Sequence, residues 1–170
     1  MNYFLEDIPQ RTEKDRKVGL TMAMDKGLSI REVEDFLSIS GQYVDIVKFG
    51  WGTSFVTPNL KEKIEVYRQA GIPVYFGGTL FEAFIVRGQF DDYLKVIDQY
   101  ELEFAEVSDG SIELDHRKKC EYINRLTEKV TVLSEVGSKD VEKIIPPYKW
   151  ITLMQKELEA GAWKVIGEAR

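Results

Sequence analysis

The sequence predicts an α/β protein of the (β/α)8 TIM-barrel type, with about six βα units in the chain. Three observations carry this. Six apolar, strand-like runs recur along the chain, each ending in Gly or a charged residue. Helix-like segments alternate with them, the pattern of a parallel sheet. The unit recurs roughly every 25–30 residues as an architectural repeat, without close sequence repetition.

The runs begin at Val18, Tyr43, Ile72, Phe104, Val130 and Trp163. Residues 1–17 are polar and charged and read as a lead-in, so residues 18–170 form a single domain, an incomplete barrel. The first helix opens on a capping box, Ser29 with Glu32, followed by Val33, Phe36 and Leu37 at helical spacing. Thr57-Pro58 opens the second, with Pro58 at the first helical position and Leu60, Ile64 and Tyr67 as its apolar stripe. Ala70-Gly71 ends it, and Pro73 begins the next strand. A short helix over 80–86 breaks at Gly88, and another carries Phe90, Leu94 and Ile97. The next runs over 114–128 with Ile123 and Leu126. A last pair spans 140–145 and 148–160, on either side of Pro146-Pro147.

Strand parity predicts which side chains face inward. In the first run Leu20, Met22 and Met24 share one face, and Thr21, Ala23 and Asp25 the other. Small and polar residues suit a crowded barrel interior, so Asp25 is expected in the mouth. In the sixth run Lys164, Ile166, Glu168 and Arg170 share a face. Six strands leave two open edges, which favours either a piece of a longer protein or edges paired in a homo-oligomer.

Composition narrows the function. The 170 residues carry a net charge of −6, against the basic surface that binding to nucleic acid requires. The one basic run, Arg117-Lys118-Lys119, reads as a solvated helix face. A single cysteine, Cys120, forbids an internal disulfide and fits a reducing, cytoplasmic setting. With one histidine, His116, a zinc site of the usual nitrogen and sulfur type cannot be assembled. A metal would be held by carboxylates, which suits Mg2+ or Mn2+. No apolar stretch has the roughly 18 residues needed to span a bilayer, and the N-terminal residues do not read as a signal peptide.

Function in parallel sheets gathers at the carboxyl ends of the strands. Those ends carry Asp25, Lys26, Lys48, Glu106, Asp109, Glu135, Lys139, Glu168 and Arg170, a set suited to a metal-assisted site for an anionic substrate. Gly77-Gly78-Thr79 precedes a helix and could cradle a carboxylate or phosphate; a plain Gly turn with a Thr cap is the competing reading. Lys48-Phe-Gly-Trp-Gly-Thr-Ser54 combines a strand-end lysine, two turn glycines and two hydroxyls. Its competing reading is a tight turn around a buried Trp51.

Taken together, Gly19 to Gly27, Lys48 to Ser54, Gly77-Gly-Thr-Leu-Phe-Glu82, Glu106 to Ser111 and Glu135-Val-Gly137 resemble the phosphosulfolactate synthase family of coenzyme M biosynthesis. The resemblance implies a (β/α)8 barrel that adds sulfite to phosphoenolpyruvate with Mg2+, giving 2-phospho-3-sulfolactate. It implies Glu106, Glu135 and Glu168 as metal ligands, and Lys48, then Lys139, as proton donor. Asp25, Lys26, Gly77, Gly78, Thr79, Ser108, Asp109 and Arg170 are the expected substrate-binding residues. Family members continue past residue 170 into further βα units, and divergent relatives are linked to spores or heat stress. Two other readings stay open: a non-catalytic member or inactive fragment, and a barrel aldolase using Lys48 as a Schiff-base nucleophile.

Overall fold

The computed structural model describes residues 4–10, 12–140, 142 and 144–168. Strands and helices alternate: β1 (Met22–Asp25), α1 (Ile30–Ser40), β2 (Ile46–Phe49), α2 (Leu60–Gln69), β3 (Val74–Phe76), α3 (Gly78–Ile85) and α4 (Phe90–Gln99). They continue with β4 (Phe104–Val107), α5 (His116–Thr127), β5 (Thr131–Gly137), α6 (Pro147–Glu159) and β6 (Lys164–Glu168). All ladders are parallel, in two three-stranded sheets of order β1-β2-β3 and β4-β5-β6. β3 and β4 lie side by side at the junction. The six expected strand runs are all present.

Period-two alternation builds two apolar layers. On β2, Val47 and Phe49 point to the helices, and Ile46 and Lys48 point inward. The outer layer joins Val33, Phe49, Ile64, Tyr67, Phe81, Tyr93, Ile123 and Leu126 in one core under the helices. Each such buried side chain contributes about 1.5–3 kcal/mol. The inner layer is smaller: Ile46, Tyr75 and Leu133, with Phe104 and Ile166 packed against them. It fills the floor beneath the charged strand ends.

Side-chain caps mark the starts of α1 and α5. Ser29 and Glu32 form the expected capping box, and Asp115 caps α5 by accepting from the Lys118 amide at 3.1 Å. Most helix bounds differ from the sequence reading by one or two residues, and two departures have a visible cause. α2 begins at Leu60, not Pro58, because Asn59 caps it in the left-handed conformation (φ 53°). The described residues of 140–145 are not helical; there the Asp140 carboxylate accepts from the Glu142 amide at 3.0 Å. That bond offers the backbone an alternative to a helical turn.

Asp25 does not enter the mouth. It is buried on the helix-facing side, where Oδ2 meets Lys63 Nζ at 2.7 Å and accepts from Tyr67 Oη at 3.0 Å. Its Oδ1 accepts from the amides of Gly27 and Leu28. The parity of β1 is therefore the reverse of that expected. Met24 shares a register row with Lys48 and Tyr75, on the inward face. A buried acid needs a cation and donors, and α2 supplies both. Lys63 Nζ also sits 5.0 Å from the Phe49 ring centroid.

Candidate active site at the carboxyl ends of the strands

β2, β3, β4 and β5 each send one polar side chain to the same point. Lys48 Nζ lies 2.6 Å from Glu106 Oε1 and 3.2 Å from Glu135 Oε2. Tyr75 Oη donates to Glu106 Oε2 at 3.0 Å, and the Gly78 amide donates to Glu106 Oε1 at 2.7 Å. All four side chains are buried. Burial pushes the Lys48 ammonium down, but the charges of Glu106 and then Glu135 outweigh it and the net direction is up. Lys48 therefore stays protonated. Burial, helped by the Glu135 charge, pushes Glu106 up against the opposing pull of Lys48. Burial also drives the Tyr75 phenol well above its ordinary value, which keeps it a hydrogen-bond donor.

Two glycines permit this convergence. A Cβ on Gly77 would lie 2.7 Å from Lys48 Cε, and one on Gly78 would collide with Ser108 Oγ. Their expected role as a substrate cradle does not hold. The Gly78 amide is taken by Glu106, and the Gly77 amide donates to the Phe49 carbonyl at 3.0 Å. The N-terminus of α3 does hold an anion, but that anion is the protein's own carboxylate.

A second group adjoins the first across Gly78. Ser108 is buried and its Oγ donates to Glu82 Oε1 at 2.6 Å. The Ser111 amide donates to the same oxygen at 3.2 Å. Lys139 Nζ stands 3.4 Å from Thr79 Oγ1 and 3.8 Å from Glu82 Oε2. Glu168 reaches the same rim: a Cβ on Gly110 would lie 2.6 Å from its Oε2 and 3.5 Å from Lys139 Cγ. Lys26 is exposed at the β1 end, with Nζ 4.6 Å from the Trp51 ring centroid. Trp51 is itself 58% exposed, so the buried-Trp turn is not what forms. Arg170 lies outside the described residues.

Asp109 faces a different partner. It accepts from Lys119 Nζ at 2.8 Å, and that ammonium also meets Glu157 Oε1 at 2.9 Å and the Glu135 carbonyl at 2.6 Å. Lys119 is 1% exposed, so the basic run is not a wholly solvated face. Its three acceptors anchor β5 and the loop after β4 to α5 and α6.

Sequence reasoning missed Tyr75, Glu82 and Lys119. Tyr75 shares the inward register row with Lys48, which strand parity applied to the third run could have shown. Glu82 lay inside a quoted motif without a role. Lys119 carried no local signal, because its partners come from three other elements.

The three acids expected to bind metal do not form a cage. Both oxygens of Glu106 are engaged, Glu135 is paired with the Lys48 ammonium, and Glu168 sits at the rim. Among the described residues no group of three or more His, Cys, Asp or Glu stands close enough to hold a metal. A cation placed between Glu106 and Glu135 would meet Lys48. The donor set does not fit a protein-held Mg2+ in this arrangement.

Parallel βα units with charged side chains gathered at the strand ends define a barrel-type α/β enzyme scaffold. Solved structures support the fold. Phosphonopyruvate hydrolase in complex with oxalate and Mg2+ aligns with a TM-score of 0.58 at 14% identity, covering 89% of this chain and 59% of that one. The carboxyl transferase domain of Rhizobium etli pyruvate carboxylase aligns at 0.59 and 12%, covering 86% and 26%. Residues 9–170 match the (2R)-phospho-3-sulfolactate synthase (ComA) family, and the chain belongs to it. Its relatives include the phosphosulfolactate synthases of Bacillus subtilis (37% identity), Methanothermobacter thermautotrophicus (38%) and Methanocaldococcus jannaschii (43%). The chain is covered over 100%, 100% and 92% of its length, and spans 68%, 68% and 64% of theirs. The family resemblance read from the motifs is thereby borne out. Among the described residues no helix is long and apolar enough to cross a membrane.

Proposed function

We propose that this chain carries the site of a lyase that adds sulfite to phosphoenolpyruvate, giving 2-phospho-3-sulfolactate. The observation that carries the reading is the Lys48 ammonium held between Glu106 and Glu135 at the strand ends of a family member. The sulfur lone pair attacks the methylene carbon, and the carbon–carbon π electrons move toward the carboxylate. Charge then builds on the carboxylate oxygens as an enediolate. A preorganised cation stabilises such charge more than water does, because it need not reorganise. Lys48 supplies that cation. The phosphate-bearing carbon takes a proton to complete the product.

The lengths of the contacts favour Lys139 over Lys48 as the proton donor in this reading. Lys48 is locked by two carboxylates, whereas among the described residues the Lys139 ammonium has long contacts, to Thr79 and Glu82. In this reading Lys139 gives its proton to the carbon, leaving a neutral amine, and Lys48 remains the standing charge. Lys26 at the rim adds positive charge for an anionic substrate.

The test is to mix the chain with phosphoenolpyruvate and sulfite and follow 31P NMR, with Mg2+ and with EDTA. Phosphosulfolactate is the expected product. Its absence under all conditions contradicts the reading. Product formed only with Mg2+ would show that the reaction requires the cation.

A further inference from the structure

We propose that Glu82 is the positioning residue for Lys139, holding its ammonium at the mouth through an oxygen that takes no hydrogen bond of its own. The inference rests on the proton-donor role of Lys139 given above.

Glu82 is 2% exposed. Its two oxygens are used differently. Oε1 accepts from Ser108 Oγ and the Ser111 amide, both neutral donors. Oε2 is buried with no hydrogen-bond donor among the described residues. A buried carboxylate is costly unless a cation compensates it. The cation within ion-pair distance of Glu82 is Lys139, at 3.8 Å.

The backbone sets this pair up. Thr79 and Glu82 are three residues apart on α3 and so lie on one side of its first turns. Both present an oxygen to Lys139 Nζ, at 3.4 and 3.8 Å. The Lys139 amide donates to the Gly110 carbonyl at 2.9 Å, which pins the base of the side chain. The base is therefore held, and the head is loosely tethered. Both contacts are longer than the roughly 2.7–3.2 Å of a formed hydrogen bond. That slack is what separates Lys139 from Lys48. An ammonium bound tightly by two acids cannot reach a reacting carbon without breaking both contacts. One that rocks against Glu82 can approach carbon and, after giving up its proton, return to the same carboxylate.

The experiment uses E82Q and E82D. Gln keeps the Ser108 bond through its amide oxygen and removes the charge; Asp keeps the charge and withdraws it by one methylene. The first readout is independent of turnover: 13C NMR of reductively methylated lysines, with the Lys139 signal assigned by its loss in K139R. In E82Q that signal is expected to move to the position of the exposed lysines. In unmodified E82Q, kcat is expected to fall about a hundredfold with KM little changed, the size of loss a misplaced catalytic group produces. E82D should recover part of that loss. An unmoved Lys139 signal, or a loss confined to KM, overturns the proposal. If E82Q does not fold, E82D alone must move the Lys139 signal, and an unmoved signal there overturns it equally. A moved signal in a chain that makes no phosphosulfolactate would keep the contact and sink the functional reading. An unmoved signal in an active chain sinks this inference alone.

Discussion

Lys48 Nζ stands 2.6 Å from Glu106 Oε1, although 58 positions separate the two residues in the chain (106 − 48), and this contact ties the two three-stranded sheets together at their functional ends. It is a buried ion pair with a second acid, Glu135, on its far side. Such pairs are weak stabilisers when intact but expensive to break.

Replacing Lys48 with Met leaves two buried carboxylates facing each other without a cation. Stability should drop by about 3–5 kcal/mol, the cost of an uncompensated buried charge. The double variant Lys48→Met with Glu106→Gln should recover a large part of it. Urea unfolding of the single and double variants measures both. A single variant as stable as the parent would show that the cluster is not the charged triad described above.

Asp25 is a structural anchor and not part of the mouth. Asp25→Asn leaves the Lys63 ammonium buried without its carboxylate, with an expected loss of about 3–5 kcal/mol. Under conditions where the variant is folded, its turnover should match the parent. A selective loss of turnover with unchanged stability would return Asp25 to the site.

The cap of α1 sets a pH dependence. Hydrogen bonds from Ser29, backbone first and then side chain, hold the Glu32 carboxyl below its ordinary value. A carboxyl lowered on folding adds stability above its unfolded value, and that contribution is lost as pH falls through its folded one. Ser29→Ala keeps the backbone bond and removes the side-chain one, so it should raise the Glu32 midpoint part of the way toward its ordinary value in an NMR titration. It should also cost about 1 kcal/mol at neutral pH through the lost cap. A Glu32 midpoint that does not respond to Ser29→Ala would show that the capping box is not formed in solution.

Much of this architecture was legible from residue order alone. The six strand runs, the capping box and the convergence of Lys48, Glu106 and Glu135 all follow from local periodicity and from the geometry of parallel sheets. What was not legible depended on partners far along the chain. Asp25 was assigned inward on a size rule, small residues inside and large outside. The row Met24–Lys48–Tyr75 reverses this, and the deciding partners, Lys63 and Tyr67, sit on α2. Gly77-Gly78 was read as a cradle for a substrate anion, but the Gly78 amide is taken by Glu106, brought in by β4, and the Gly77 amide by the Phe49 carbonyl. Lys119 looked like one of three surface cations until Asp109, Glu157 and the Glu135 carbonyl closed around it. Tertiary charge pairing is the term a single sequence does not display.

The most direct test of the central claim compares the parent chain with Lys139→Met in one 31P NMR assay of phosphoenolpyruvate and sulfite. Lys139 sits at the rim with its side chain 21% exposed, so the variant should fold normally. The account predicts phosphosulfolactate from the parent and a rate lower by about 10²–10⁴-fold in the variant, the span expected for loss of a general acid. No product from the parent, or equal rates from both, would contradict it.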